Sequence, residues 1–273
     1  MIRRWLLTLL ALLVGTSGGA LFAWLQAPLP WMLGPIFAVG ACNLAGAGFA
    51  PPTAVRRGGQ WVVGAVLGLY FTPDAVARMG LEFAVLTMVA RDDLADGGMA
   101  HVAECVRAIR EMNPGVQVET LVSDAKGSDS LEHVFDVRPD VFNHNVETIA
   151  RLQRAVRPSA GYARSLAVLA RAKARGLTTK SGFMVGLGET HDEVVELLRD
   201  VASVGVSIVT IGQYLRPSSA HLPVVRYVEP AEFARYREVG ESLGIAHVES
   251  GPLTRSSYHA KEASRRSLPL TAV

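Results

Sequence analysis

Cysteine is nearly absent: the 273-residue chain has two, Cys42 and Cys105. That scarcity excludes a disulfide framework and points to a reducing compartment. Two thiols are also too few to hold an iron–sulfur cluster, which takes three or four thiolates. Blocks of positive charge are missing, with no Lys/Arg run longer than a pair, so no nucleic-acid partner is expected. Low-complexity tracts are absent and hydrophobic residues make up 49% of the chain, a composition that excludes disorder. Charge itself is scarce in one region only. Residues 1–80 hold six charged side chains (Arg3, Arg4, Arg56, Arg57, Asp74, Arg78) and no histidine, yet all four tryptophans and 12 of the 26 glycines. The other 46 charges and all seven histidines follow, for net charges of +4 and −2 in the two parts. Two parts made for different solvents therefore meet near position 80: a membrane segment over 1–80, a domain over 81–262 long enough to bury a core, and a flexible tail over 263–273.

Residues 5–25 form an uncharged run of 21 residues, about the roughly 20 needed to cross a bilayer as a helix. After a Pro-containing break at 26–30 comes a second apolar stretch, 31–50, so a helical membrane hairpin through residues 5–50 is expected. Arg3 and Arg4 before it and Arg56 and Arg57 after it place both ends, and the soluble part, in the cytoplasm by the positive-inside rule. The competing expectation is a signal peptide over 1–20, against which stands the apolar sequence that continues for another 30 residues. Residues 61–72 (WVVGAVLGLYFT) are too short to span and read as a re-entrant or interfacial piece, or as the start of a third helix. The strings APLPWMLGP, the Pro51-Pro52 pair and RRGGQWVVGAVLGLYFTP resemble the opening of the AbrB-type family of membrane transporters, over residues 10–78. No ionisable residue lies inside either span, so the usual intramembrane marker of a transport pathway is missing.

Beyond position 80, strand-like runs at 83–89, 116–122, 141–145, 180–185, 207–211 and, more weakly, 246–249 alternate with helical patterns at 99–112, 131–137, 162–175, 190–204 and 230–243. Such alternation predicts parallel strands joined by crossover helices, an open or closed α/β barrel. Thr190-His191-Asp192-Glu193 supplies a capping box that fixes one helix start. In such a barrel chemistry sits at the C-terminal strand ends, and these are polar here: Arg91-Asp92-Asp93 with Asp96-Gly97-Gly98, Ser123-Asp124, Asn143-His144-Asn145 with Glu147, Gly186-Leu187-Gly188-Glu189, and Gln213-Tyr214 with Arg216. Singly, each has a plainer explanation. Gly186-Leu187-Gly188 could bind an anion on backbone N–H groups or be a tight turn, and His144 could meet a cofactor or be a satisfied structural histidine.

Together the strings LTMVARDDLADGG, RPDVFNHNVETI, TKSGFMVGLGET, TIGQYLRPSSAHLPVVRYVEPAEF and SGPLTRSSYHA, in that order, resemble lipoyl synthase over residues 82–262. The resemblance implies a partial (βα) barrel of the radical S-adenosylmethionine type. It implies S-adenosylmethionine and two 4Fe-4S clusters as cofactors, and an octanoylated lipoyl-carrier protein as the partner into whose acyl chain sulfur is inserted. Carried over residue by residue, it puts Asp96, Gly97, Gly98, Asn145, Glu147, Lys180 and Ser181 at the S-adenosylmethionine site. Ser257, with Arg255 beside it, corresponds to an oxygen ligand of the auxiliary cluster.

The chain departs from the family where it matters most. Both cysteine motifs that hold the clusters are missing, and the membrane segment occupies their place, so the barrel is expected to lack its first strand. No catalytic residue is assigned. The expected function is a lipoyl synthase-like protein that is inactive alone unless another polypeptide supplies the thiolates. The alternatives are an AbrB-type membrane or transport protein fragment carrying a soluble appendage, and a fusion of two gene fragments without function.

Overall fold

A computed structural model describes residues 2–26, 30–49, 55, 58, 81–257 and 260–267. The expected short apolar piece at 61–72, the junction near Gly80, Tyr258 and the end of the tail lie outside these residues. The chain divides into two compact units, Met1–Ala75 and Val76–Val273.

The first unit contains α1 (Ile2–Trp24) and α2 (Pro30–Leu44). They approach closely because glycines face each other: a Cβ on Gly18 would lie 2.5 Å from the Gly34 carbonyl oxygen and 2.6 Å from the Ala38 Cβ, a small-residue contact of the kind apolar helices use. Phe22 stacks on Phe37 at 5.7 Å beside it. Leu6, Leu9, Leu13 and Phe37 are exposed. Within α1 the stretch Trp5–Trp24 has the length and apolarity to cross a membrane. The second expected span comes out shorter, because α2 has 15 residues, about 22 Å at 1.5 Å per residue, against roughly 30 Å of hydrocarbon. It stops where the Asn43 side chain bonds both the N–H and the carbonyl of Phe49 and where Gly46 and Gly48 turn left-handed. Among the described residues, one helix rather than two is long enough to span.

The second unit is a six-stranded parallel sheet in which spatial order follows chain order, β1 (Phe83–Thr87), β2 (Gln117–Leu121), β3 (Val141–Asn143), β4 (Thr179–Val185), β5 (Ile208–Gln213) and β6 (His247–Gly251). All six expected strands form, β1 and β6 are the two edges, and the sheet is not closed. Between them lie α3 (Met99–Met112), α4 (Glu132–Asp136), α5 (Gln153–Val156), α6 (Tyr162–Ala174), α7 (His191–Ser203) and α8 (Pro230–Ser242), followed by α9 (Ala260–Ser267). Right-handed crossovers that always advance in the same direction put every connecting helix on one face. The strands show it: Phe183, Val185, Val209, Ile211 and Val248 pack with Leu197, Leu198, Phe233 and Tyr236 of α7 and α8, and Phe142 packs with Phe135 and Val168 of α4 and α6.

Side chains alternate along a strand, so the intervening residues point to the opposite face. There the registers bring together Glu119, Asn143, Lys180, Gly182, Thr210, Gly212 and Glu249, a polar set for the interior of a barrel. At its lower end Ala263 of α9 packs on Val141 and Ile208, and Lys261 pairs with Glu82. Lys180 and Glu119 are completely buried; the ammonium lies 2.9 and 3.0 Å from the two carboxylate oxygens, and the Asn143 amide donates to the same carboxylate at 2.7 Å. Three strands are thereby joined by one ionic contact. Lys180→Met alone should lower the unfolding free energy by about 3–5 kcal/mol by stranding the carboxylate, whereas Glu119→Leu with Lys180→Met should come much closer to wild type. Denaturant titration of the two variants measures the difference.

Candidate functional site

The site forms where β3, β4, β5 and β6 end on the polar face. A cleft of about 230 Å³ lies there, lined by Asn145 and Glu147 after β3, Gly182 and Met184 of β4, Thr210 and Gly212 of β5, and Thr254 and Arg255 after β6. Its floor is open because two strands carry glycine. A Cβ at Gly182 would sit 2.6 Å from Thr210 Oγ1 and 2.9 Å from Asn145 Oδ1, and a Cβ at Gly212 would collide with the Thr254 carbonyl.

One wall is held in an unusual backbone geometry. Glu147 has φ of 70°, a left-handed conformation that costs a non-glycine residue about 1–2 kcal/mol. It is fixed by two bonds to β4: its N–H donates to the Gly182 carbonyl at 3.0 Å and its carbonyl accepts the Met184 N–H at 2.9 Å. The strand thus leaves the ladder after Asn143 and rejoins it at Glu147. Three side chains hold the excursion. Ser181 accepts the Val146 N–H at 3.2 Å, Arg157 donates to the Asn145 carbonyl at 3.0 Å, and His144 is buried between the Val122 carbonyl at 2.9 Å and Ser165 Oγ at 3.0 Å. The carbonyl can only accept, so His144 Nδ1 carries the proton and Nε2 accepts from Ser165. His144 is therefore a structural histidine. Burial raises the Glu147 carboxyl above its ordinary range, opposed by a hydrogen bond from the Asn145 side chain and by the Arg157 charge. Asn145 Oδ1 is buried without a hydrogen-bond partner.

The other expected site residues fall elsewhere. Asp96 accepts the Gly98 and Ala100 N–H groups, each at 3.0 Å. Those bonds hold its carboxyl below the usual range; Gly97 and Gly98 take φ of 62° and 84° to form the turn into α3. Lys180 is sealed in its pair with Glu119, and Ser181 faces the helices. Ser257 lines a second cavity together with Phe83, Val85 and Lys261 of α9 and is not among the residues that line the cleft, as Arg255 is. The structure thus brings together Asn145, Glu147 and Arg255 and separates the rest. The Gly186 and Leu187 N–H groups are taken by the chain's own Glu189 carboxylate, at 2.5 and 2.9 Å, so that turn binds no outside anion. Gln213 ties down the segment that crosses above it, donating to the Arg226 carbonyl at 3.1 Å and accepting the Val228 N–H at 2.9 Å. Glu119 below the cleft and Gly182, Thr210, Gly212 and Thr254 in its lining are residues that sequence reasoning did not single out.

The sequence profile of the radical SAM superfamily matches residues 73–201, and a profile described as transition state regulatory protein AbrB matches residues 2–91. A lipoyl synthase of Rubrobacter xylanophilus is 57% identical over 196 residues, 71% of this chain and 61% of that protein. A lipoyl synthase of Bacillus cereus is 50% identical over 202 residues, 73% of this chain and 68% of that protein. The chain thus spans about two thirds or less of the length of these relatives. Methylornithine synthase has a similar structure at a TM-score of 0.49 and 15% identity, over 66% of this chain and 62% of that one.

Burial of the imidazole lowers the His144 pKa from 6.5 to about 4, more than its bond to the Val122 carbonyl raises it. Between those values the unfolded chain binds the proton that the folded chain refuses. Stability from this group is therefore full above about pH 6.5 and falls as the pH drops toward 4, by up to roughly 3 kcal/mol. Thermal unfolding at pH 7 and pH 5 should show a larger drop for wild type than for His144→Gln.

Proposed function

We propose a function from one plain fact, that the chain belongs to the lipoyl synthase family: its α/β unit is the S-adenosylmethionine-binding part of such a protein and does not insert sulfur with its own residues. The observation that carries this reading is the cleft. A buried acceptor without a partner at Asn145 Oδ1, a carboxyl at Glu147 and a glycine floor at Gly182 and Gly212 suit a ligand rich in N–H and hydroxyl donors, as the adenosyl and methionyl groups are. Asn145 and Glu147 would meet the ligand directly. Ser181 would act through the backbone it holds, Lys180 by keeping the polar face in register, and Asp96, Gly97 and Gly98 by shaping the loop after β1.

S-adenosylmethionine, when bound in this superfamily, supplies radical chemistry once an iron–sulfur cluster gives it an electron. The residues here do not fit such a cluster. Cys42 and Cys105 are the only thiols of the chain. Cys105 Sγ has His101 Nε2 as its neighbour at 3.7 Å, and among the described residues no three His, Cys, Asp or Glu side chains gather as a metal site. Ser257 is then a cluster ligand by descent with nothing to ligate, and no radical or sulfur-transfer step is assigned to this chain. An octanoylated lipoyl-carrier protein would be its partner only together with a polypeptide that brings the thiolates. Anaerobic reconstitution with iron and sulfide should leave cluster content far below one per chain while S-adenosylmethionine still binds; a stoichiometric cubane signal with cleavage of the ligand would overturn the reading.

A membrane location for the first unit is the second proposal, favoured by the 20-residue apolar stretch Trp5–Trp24 and the exposed leucines around it. The α/β unit would then face the cytoplasm. Carbonate extraction should leave the protein in the membrane pellet, and its release into the supernatant would rule out an integral helix.

A further inference from the structure

The two edges of the sheet are not alike. β6 carries His247 and Glu249, with Arg237 of α8 at 3.8 Å from the Glu249 carboxylate, and charge along an edge is a usual guard against pairing with a further chain. β1 has no such guard. From Phe83 to Ala90 the sequence FAVLTMVA contains no charge, proline or glycine. Its ladder with β2 uses the even-numbered residues: the Glu82 carbonyl accepts the Gln117 N–H at 3.0 Å, and the Met88 N–H donates to the Leu121 carbonyl at 3.1 Å. Alternate residues of a parallel strand bond one neighbour. The N–H and carbonyl groups of Phe83, Val85 and Thr87 therefore point to the open side, and no described strand pairs with them.

Beside that edge, on the side of α3, lies a groove of about 480 Å³. Leu86 and Val89 line it from the strand, His101, Val102 and Cys105 from α3, and Leu94 from the loop between them. The one full charge in the lining, Arg91, is paired with Asp93 at 2.6 Å. Val89 is 74% exposed, so an aliphatic wall is left without cover among the described residues. The strands run parallel in chain order with their helices on one face, so a strand added to β1 in the same sense brings its crossover helix to the side where this groove lies. A second copy does not meet that condition, because the two-fold that pairs β1 with itself sets the strands antiparallel. The two lipoyl synthases compared above are covered over 61% and 68% of their length, so they hold chain that has no counterpart here. We propose that the β1 edge and this groove are the docking surface for a separate polypeptide that adds a parallel strand. Phe83, Val85 and Thr87 supply the backbone bonds, and the groove receives the apolar face of the attached helix. This rests on the reading that another polypeptide brings the thiolates, and it states how that polypeptide is held: by strand pairing and apolar burial rather than by charge.

Co-expression of the tagged full chain, extracted in detergent, with the segment of Rubrobacter xylanophilus lipoyl synthase that precedes its matched 196 residues tests this. The segment should co-purify, and raising the salt to about 0.5 M should change its recovery by less than roughly twofold, since no exposed ion pair holds it. Val85→Pro removes an outward N–H and none that bonds β2, a change that edge strands tolerate. It should cut recovery about tenfold or more while thermal unfolding stays as in wild type. Val89→Glu, at an exposed position, should do the same through the groove, and it decides alone should Val85→Pro unfold. Hydrogen exchange gives an independent readout: the Phe83, Val85 and Thr87 amides should exchange fast in the chain alone and slowly in the complex, while those of Ala84 and Leu86 are slow in both. No recovery with wild type, or recovery unchanged in Val89→Glu, would overturn the docking surface. So would slow exchange at Phe83, Val85 and Thr87 in the chain alone, the result expected if a second copy or another part of this chain is paired there. Reconstitution with iron and sulfide separates the two claims: a complex that forms as described but takes up no cluster would sink the reading of the partner as thiolate source and leave the docking surface standing.

Discussion

An ammonium and a carboxylate sealed together inside a sheet can persist only if each exhausts the other's charge and the backbone cannot slide. Lys180 and Glu119 meet this condition across β3, with Asn143 between them taking up a further carboxylate lone pair. A slip of one residue in β2 or β4 would turn one member of the pair toward the apolar helix face and leave the other charged and alone, at a cost of several kcal/mol. The pair therefore works as a register lock. Everything above it on the polar face depends on that lock, because Gly182 and Thr210 form the cleft floor only while β4 and β5 keep their alignment.

The site is built largely from behind. The groups that hold the strained segment 144–147, namely Ser181, Ser165 and Arg157, lie on the helix side or beyond the strand end, and they leave the Asn145 and Glu147 side chains free to face the cleft. The cleft wall is thereby preorganised, since the strain at Glu147 is balanced by hydrogen bonds made from outside the cleft. It also separates two adjacent motif residues by role: His144 is spent on structure, and Asn145 is left with an unmet acceptor.

Much of this was legible in the sequence because the signals were local. The six strand runs and the five main helical patterns stand out by periodicity, and Thr190 and Glu193 mark the start of α7 by the reciprocal bonds they form. What escaped was non-local. Nothing in the run around Glu119 announces Lys180, since their strands are not neighbours and the pairing exists only once β3 is inserted between them. The second apolar stretch looked long enough to span by composition, but the Asn43 side chain and two left-handed glycines end the helix early. α9 has no apolar stripe to reveal it; its place is decided by Ala263 fitting against Val141 and Ile208. Glu189 shows the same limit, because its capture of the Gly186 and Leu187 N–H groups depends on a turn geometry that composition does not specify.

The strand order of the second unit has a consequence for how such a chain can change over evolutionary time. A sheet whose strands lie in the order in which they are encoded contains no strand that must be threaded between two earlier ones. A recombination breakpoint at either margin thus leaves an intact series of neighbours, each still paired with its own crossover helix. In a doubly wound sheet the same cut would remove a central strand and split the core. A gene encoding this architecture can exchange what lies at its edge while the remainder keeps its pairing.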